Sequence, residues 1–145
     1  MPELPAVWNG DLYIGTAYSN DAWSYNKLCK GVKSFNYNPN EVVKTEHYIC
    51  GEGGANTEVT GLAPVIPVTC DRVVGDTAQD YIVGLITKLG KDRKSSVKVV
   101  QDGVQIISDC TITNIVPFGG NATDLKAFSC EIHLNGIPTV SAVTP

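Results

Sequence analysis

Residues 96–108 read SVKVVQDGVQIIS, in which two β-branched runs flank the dipeptide Asp102-Gly103. An Asp-Gly pair between such runs is the strongest short signal for a β-hairpin, because both residues accept the backbone angles of a tight two-residue turn. The stretch therefore predicts a hairpin that pairs Val97–Gln101 with Val104–Ser108. The segment Cys110–Val116 is rich in β-branched residues and predicts the next strand.

The clearest single strand follows near the C-terminal end of the sequence. Its apolar residues alternate with polar or small ones, so one face is apolar and the other polar; the apolar set is Phe128, Cys130, Ile132 and Leu134. Glu131 lies on the polar face. The dipeptide Asn135-Gly136 predicts the end of the strand, and residues 137–145 are then a C-terminal tail.

One helix is predicted, at residues 77–89. Asp76 and Gln79 form an N-terminal capping box, and Gly90 marks the end. Spacings of three and four residues place an apolar stripe on one face, which we expect to cover the sheet: Tyr81, Ile82, Leu85, Ile86 and Leu89. The remaining positions are expected to face outward or toward a neighbour: Gln79, Asp80, Val83 and Thr87.

The N-terminal half contains weaker strand signals. Residues 1–10 resemble an extended arm, and Asp11–Tyr18 predicts a short strand. Two strands or a hairpin are expected around the turn Asn38-Pro39-Asn40, followed by an exposed loop at 51–63 and a short strand at Pro64–Thr69. The predicted fold is a single domain over residues 1–145 and mainly β: an antiparallel sandwich or barrel of about seven strands with one flanking α-helix.

Composition excludes several classes of protein. The chain has 145 residues, 43% of them hydrophobic, which suits one compact domain. It has 11 basic and 15 acidic residues, a net charge of -4, which is the wrong sign for binding nucleic acid through a basic face. No apolar run approaches the roughly 18 residues needed to cross a bilayer, and the N-terminus lacks a secretory signal pattern, so we expect a protein made in the cytosol.

No group of residues predicts catalysis. His47 and Cys50 form one pair with ligand spacing, but a structural zinc site needs four ligands. Cys70 stands beside Asp71 and Arg72 without a nearby base, and a structural ion pair is the expected role of those charges. We therefore expect neither an enzyme nor a bound cofactor or metal. The aromatics, including Trp8 and Trp23, fit either a ligand-stacking surface or core and interface anchors.

The order of the predicted elements along the chain says more about function than any single motif does. Residues 61–76, GLAPVIPVTCDRVVGD, enter the helix, and the Asp-Gly hairpin and a further strand follow. A Gly-rich loop, FGGNAT at 118–123, then leads to the final strand, which ends in LNGIP at 134–138. Over residues 55–140 this order resembles the tail tube proteins of contractile-tailed bacteriophages, a family whose fold is shared with the tubes of contractile injection systems.

The resemblance implies a structural role in a virion tail that assembles in the host cytoplasm. Six copies would close into a ring, and rings would stack into a hollow conduit for DNA ejection. The implied partners are other copies of the chain, the tail sheath, the baseplate and the tail terminator protein. We expect the arm before Asp11 and the loop Gly51–Gly61 to contact other copies, since neither has the apolar content to pack as core.

The conduit would let genomic DNA pass without specific binding. A basic lumen would hold DNA by counterion release, so we expect more acidic than basic side chains in the bore, with Glu131 as one candidate. Two other functions fit the sequence. One is the tube of a contractile injection system that secretes proteins, and the other is a stand-alone β-sandwich module that binds a carbohydrate or peptide.

Five cysteines lie at positions 29, 50, 70, 110 and 130, an odd number that cannot all pair within one chain. A particle released from the cell meets an oxidising medium, in which thiols of neighbouring subunits can close into disulfides. Cys29 is flanked by the cations Lys27 and Lys30, which favour a reactive thiolate. We predict that Cys29, or else Cys50 or Cys70, forms an inter-subunit bridge; the alternative is that all five are reduced and buried.

Overall fold

The computed structural model describes residues 10–28 and 30–142. Within these residues the chain forms nine strands and one α-helix, in the order β1 (Asp11–Ser19), β2 (Ala22–Lys27), β3 (Val32–Phe35), β4 (Val42–His47), β5 (Ala55–Gly61), β6 (Val65–Asp71), α1 (Thr77–Val83), β7 (Lys94–Gln101), β8 (Val104–Val116) and β9 (Ala127–Ala142). Short 3-10 helices lie at Ile49–Gly51 and Gly90–Arg93. The predicted fold class, mainly β with one helix, is confirmed.

Seven of the strands form one antiparallel sheet in the order β2-β1-β7-β8-β9-β6-β3. The sheet curls strongly. Three strands separate β3 from β7 in the sheet, yet Phe35 of β3 lines the same cavity as Val97 and Val99 of β7. The curl encloses one side of the sheet, so this seven-stranded body has a distinct inner and outer face.

The inner face holds the hydrophobic core. Period-two alternation places Ile66, Ile112 and Ile132 side by side across three neighbouring strands, because Ile132 is in register with both of the others. The fully buried side chains of this face come from five strands and include Leu12, Ile14, Ile66, Val68, Val97, Ile112, Phe128 and Ile132. Removing these side chains from water is the main source of the stability of the body.

The predicted Asp-Gly hairpin is confirmed. Asp102 and Gly103 have φ angles of 53° and 75°, as the two-residue turn between β7 and β8 requires. The strand predicted at Cys110–Val116 is not separate, because β8 continues through it for 13 residues. No turn residue interrupts the chain at residue 109; the register shift between Ile107 and Asp109 places its extra residues, 136–138, in β9, so β8 continues.

The prediction of a C-terminal tail from residue 137 onward is wrong for residues 137–142, which belong to a strand. Strand β9 runs through Asn135-Gly136 to Ala142, and residues 139–142 pair with the start of β8. Gly136 has a φ of 79° and lies where the β8–β9 register shifts. A glycine inside a strand often marks such a bulge rather than a strand end. Residues 143–145 lie outside the described residues.

Helix α1 is shorter than predicted. Its N-terminus is as expected, since the Asp76 carboxylate accepts from the Gln79 backbone N at 3.2 Å. The helix ends at Val83, and the chain continues in tight turns, with Leu85 N donating to Ile82 O. Turns of this type advance each side chain farther around the axis than an α-helix does, so the later residues leave the apolar stripe.

Only part of the predicted stripe covers the sheet. Ile82 and Leu85 are buried, and Tyr81 is half-buried against the core. Ile86 is 44% exposed and Leu89 is 83% exposed, so the prediction that they cover the sheet is wrong. The shortened helix is the cause.

Gln79 is buried, contrary to the prediction that it faces outward. Its side-chain amide donates to the backbone oxygens of Lys30 and Asp71, at 2.9 and 3.1 Å. Its carbonyl oxygen accepts from Val73 N at 2.8 Å and from the Arg72 guanidinium at 3.3 Å. A neutral amide can be buried when its donors and acceptor are all satisfied, and Gln79 thereby joins α1 to the chain on both sides of it.

Candidate assembly surfaces

Strands β4 and β5 form a separate two-stranded sheet, which we call the hairpin arm, residues 42–61. Residues 55–61 were predicted as loop and are strand, although the predicted exposure is correct: every residue of β4 and all but Gly61 of β5 are exposed. Thr57, Val59 and Thr60 explain the difference, because β-branched residues favour a strand when a partner is present.

The hairpin arm carries exposed apolar side chains. Val43 and Val59 are cross-strand partners and are 48% and 54% exposed. Ile49, in the 3-10 helix at the tip, is 96% exposed, and the neighbouring Tyr48 is also open to solvent. An isolated two-stranded hairpin is at best marginally stable in water, since neither face is covered. The arm therefore has the composition of a surface that packs against something else.

The base of the hairpin arm is fixed to the body. The Asn40 amide donates to Ala63 O at 3.1 Å, and Ala63 N donates to Pro39 O at 3.2 Å. Asn38 forms a β-bridge with Val65, the first residue of β6. The predicted turn at Asn38-Pro39-Asn40 is thus the point from which the arm projects.

The two edges of the seven-stranded sheet, β2 and β3, form a second candidate surface. Edge strands present unpaired backbone groups and can pair with another chain. On β2, the Trp23 ring lies 5.2 Å from the Tyr18 ring, and Tyr18 is exposed. Trp23 packs over Gly15, where a Cβ would lie 2.8 Å from the indole. Trp8, the other aromatic singled out from the sequence, lies outside the described residues.

The outer face of the sheet is polar. Glu131 lies on it, opposite the core, and accepts a hydrogen bond from the Asn114 side chain. His133 Nε2 is 4.0 Å from the Glu131 carboxylate, and the Asn135 amide donates to the Thr111 hydroxyl at 3.0 Å. These side chains form a row along β8 and β9. The polar side of β9 was predicted correctly. The Asn114 contact was not predicted, because it depends on the φ of 50° at Asn114.

Charges on the outer face are sparse and largely matched. Asp11 pairs with Lys27 at 2.8 Å near the β1–β2 end. The Lys98 ammonium lies over the rings of Tyr13 and Tyr25, 4.5 and 4.9 Å from their centroids. This face therefore has no dense basic cluster among the described residues. Such a surface does not attract DNA phosphates strongly.

The charges beside Cys70 form ion pairs, as predicted from the sequence. Arg72 Nη2 lies 2.7 Å from Asp80 of α1, and Lys33 Nζ lies 3.1 Å from Asp71. Arg72 also donates to Val73 O at 2.7 Å. These contacts hold α1 and β3 against the end of β6.

The cysteines divide by exposure. Cys50 is exposed in the 3-10 helix of the hairpin arm, whereas Cys70, Cys110 and Cys130 are buried and reduced. Burial, with the nearby Asp71 carboxylate, raises the pKa of Cys70 to about 12. Burial raises the pKa of Cys110 and of Cys130 to about 12 as well. Cys70 thus lies out of reach of another chain in this conformation, Cys50 remains available, and Cys29 lies outside the described residues.

The described residues contain neither a cluster of metal ligands nor a helix that could cross a membrane. Across residues 10–28 and 30–142, no three His, Cys, Asp or Glu side chains converge as a metal site would require. His47 Nδ1, in the hairpin arm, is hydrogen-bonded to Gly53 O at 2.9 Å. In the same ranges, no helix has the length and apolar content to cross a membrane.

Comparison with known proteins identifies the fold. The sequence matches no family model and no curated protein. Among solved structures, it is similar to the tail of an empty gene transfer agent (GTA) particle with C6 symmetry, with a TM-score of 0.74 and 10% identity over 96% of this chain and 100% of that chain. The chain therefore shares its overall fold with that tail protein. The expectation that the order of elements reflects such a fold is confirmed.

A second solved structure has a similar fold. The cap that terminates the tube of the anti-feeding prophage matches with a TM-score of 0.64 and 11% identity, over 99% of this chain and 95% of that chain. Both alignments cover almost the whole of each chain, so the likeness extends to the fold as a whole rather than to one motif.

Proposed function

We propose that this chain is the repeating structural subunit of a phage-like tail tube, six copies to a ring and rings stacked into a hollow conduit. The hairpin arm is the observation that carries the proposal. It is a two-stranded sheet with both faces exposed, and it projects from a body whose fold is similar to that of the GTA tail protein. Packing against neighbouring copies would cover its valines, Tyr48 and Ile49.

The open edges β2 and β3 suit lateral contacts within a ring. When the edge of one subunit lies beside the edge of the next, the sheets continue from copy to copy and the unpaired backbone groups are satisfied. The sixfold number is supported by the C6 symmetry of the similar GTA tail. The hairpin arm then remains for contacts between rings.

The outer face of the sheet is the proposed wall of the conduit. It carries Ser, Thr and Asn side chains together with Glu131, and two of its basic groups, Lys27 and Lys98, lie against a carboxylate and against aromatic rings. A wall of this kind lets DNA slide through without specific binding, because few counterions are displaced. Cryo-electron microscopy of assembled rods tests this assignment, and a bore lined mainly by Lys and Arg would overturn it.

Electron microscopy of the purified protein tests assembly. We expect rings or rods from the native chain. A Val43→Lys, Val59→Lys double variant places two charges on the hairpin arm and should remain monomeric with an unchanged melting temperature. Leu89→Lys is the matched control: Leu89 is an exposed leucine on the body, and this variant should still form rods. A native chain that stays monomeric at high concentration, or rods of normal length from the double variant, would contradict the proposal.

The similarity to the prophage cap favours one other function, a subunit that closes the end of a tube. A terminating cap forms a single ring, whereas a tube subunit stacks. The same micrographs therefore separate the two functions, since rods indicate a tube and isolated rings that never stack indicate a cap. A tube that conducts secreted proteins rather than DNA would give the same rods, and neighbouring genes for a capsid would distinguish it.

A further inference from the structure

An apolar cavity of about 260 Å³ opens at one end of the curled sheet, beside the turn between β7 and β8. Its walls come from β3, β6, β7, β8 and β9, and the apolar side chains that matter here are Phe35, Ile66, Val99, Ile106 and Leu134. Within the described residues no charged side chain lines the cavity, and its polar lining residues are Asn36, Tyr37 and Gln101. An occupant that suits this lining is uncharged and mostly apolar.

The tip of the hairpin arm, residues 48–54, presents a side chain of that kind. Ile49 is 96% exposed, and Tyr48 beside it is 55% exposed. The turn is closed by its own backbone hydrogen bonds, from Glu52 N to Ile49 O at 3.0 Å and from Gly51 N to Tyr48 O at 3.1 Å. Ile49 is thus held outward on a defined turn, so little conformational freedom is lost when it packs against a partner.

The cavity is large enough for this side chain. A dry apolar cavity of about 150 Å³ is known to admit benzene, and the side chain of isoleucine has fewer carbon atoms than benzene. A volume of 260 Å³ therefore accepts Ile49 and leaves room for part of the Tyr48 ring. Asn36 and Gln101 keep some exposure to solvent, so their amides lie toward the mouth of the cavity, where the Tyr48 hydroxyl can find a hydrogen-bond partner.

The arm cannot place Ile49 in the cavity of its own chain. The cavity lies beside the base of the arm, because Tyr37 lines it and the next residue, Asn38, forms the bridge to Val65 at that base. Strand β4 has six residues, so the tip lies roughly 20 Å from the base along the strand. Pairing of β4 with β5 along this length keeps the arm from folding back. An arm tip in the cavity must therefore come from another molecule.

We propose that the cavity is the docking site for Ile49 of a second copy of this chain. This docking rests on the proposed tube function and specifies the surface that the hairpin arm meets. Tip and cavity are different surfaces of one chain, so the contact is heterologous: the arm of one copy enters the next, whose own arm remains free. A contact of this type repeats from copy to copy, as stacked rings require, and it supplies one tip for every cavity.

Cross-linking of assembled rods tests the site, because Cys50 directly follows Ile49. In a Cys29→Ser background, Gln101→Cys places a second thiol at the mouth of the cavity. Rods are grown from a mixture of unlabelled chains and chains labelled with heavy nitrogen, and are then treated with a short bismaleimide. Mass spectrometry should find Cys50 joined to residue 101 in peptides of which one half is labelled and the other is not.

Lys91→Cys is the matched control for this experiment. Lys91 is exposed and lies in the 3-10 helix before β7, at the opposite end of that strand from Gln101, so it should give no link to Cys50. Equal linking at both positions would overturn the proposal. Linked peptides with matching labels only would overturn it too, because the arm would then reach its own cavity. Rods without the link contradict the docking site alone, whereas a native chain that forms no rods contradicts the tube function as well.

The concentration at which rods form provides a readout that needs no added cysteine. Ile49→Ala should raise this concentration about tenfold, because most of the apolar side chain is no longer removed from water on docking. The melting temperature of the monomer should not change, since Ile49 is exposed there. Leu89→Ala, which shortens an exposed leucine on the body, is the control and should assemble as the native chain does.

A competitor for the cavity acts on the native chain itself. Indole is small enough to enter a cavity of this size in the monomer, so added indole should also raise the concentration at which rods form. Unchanged assembly of Ile49→Ala, or of the native chain in indole, would contradict the proposal.

Discussion

The curled body and the hairpin arm are built from the same antiparallel pairing but differ in what surrounds the pairing. In the body, one face of each central strand is buried, and Phe128 and Ile132 have no exposure to solvent. In the hairpin arm, Val43 and Val59 face each other across the strands and remain half open to water. Hydrogen-bonded strands are common to both, so burial is what distinguishes them.

The difference indicates where each region obtains its stability. The body folds on its own core, whereas the hairpin arm keeps its shape through local hydrogen bonds, such as Thr45 to Thr57 at 3.1 Å, and through its fixed base. Exposed hydrogen bonds contribute little, because water competes for both partners. Substitutions of the same kind should therefore lower the free energy of unfolding more in the body than in the hairpin arm.

The largest expected effect is at the centre of the body. Phe128→Ala should lower the free energy of unfolding by about 3–5 kcal/mol, because the ring is fully buried and leaves a cavity. Val59→Ala in the hairpin arm should change it by less than about 0.5 kcal/mol. Urea unfolding of the monomer measures both. A Val59→Ala cost close to that of Phe128→Ala would show that the arm belongs to the cooperative core.

The next comparison lies beside α1. Leu85 is buried, and Leu85→Ala should cost about 2–5 kcal/mol, whereas the exposed Leu89→Ala should be nearly neutral. Both residues lie beyond the end of the helix at Val83, so helix propensity does not separate them. Equal losses in thermal or urea unfolding would mean that the chain after Val83 is helical and that the apolar stripe continues.

Polar contacts give a smaller expected difference. Gln79→Met keeps the length of the side chain but leaves Val73 N and two backbone oxygens without their partner, which should cost about 1–3 kcal/mol. Thr45→Val removes an exposed hydroxyl pair in the hairpin arm and is the control, with an expected change below about 0.5 kcal/mol. If Gln79→Met unfolds at the same urea concentration as the native chain, the buried amide does not join α1 to its neighbours.

Thiol reactivity separates the two regions without altering stability. In a Cys29→Ser background at pH 8, iodoacetamide should modify Cys50 and leave Cys70, Cys110 and Cys130 unmodified until the protein is unfolded. Burial raises the pKa of the three buried thiols to about 12, so they carry little thiolate at that pH. Mass spectrometry counts the adducts. More than one adduct on the folded protein would show that the body opens readily.

Much of the body could be predicted from its sequence because its signals are local. The Asp102-Gly103 turn needs only two residues, and the alternation around Phe128 and Ile132 identifies a buried face by itself. The N-cap at Asp76 was predicted for the same reason. The elements that were missed depend on distant partners. Strand β9 continues past Gly136 because β8 is there to pair with it, and β5 is a strand because β4 lies beside it.

The candidate site residues also divide into features that local sequence signals predict and features that depend on distant partners. The alternation of polar and apolar residues placed Glu131 on the polar face. Its contact with Asn114 arises from a bulge in β8 between Thr113 and Val116, which no sequence pattern predicted. Gln79 was predicted to face outward because helical periodicity takes account of the position of a residue along the helix but not of its hydrogen-bond partners. Its burial depends on backbone oxygens of Lys30 and Asp71, and Lys30 lies 49 residues away in the chain.

The projecting hairpin arm has a consequence for how this protein can change over generations. A substitution in β4 or β5 alters no buried contact of the body, so its effect on folding is small and adds independently to changes elsewhere. Selection then acts on such a substitution only through the surface that the arm meets. If that surface belongs to another copy of the chain, as proposed, the fit between copies can change step by step without a change in the core that specifies the fold.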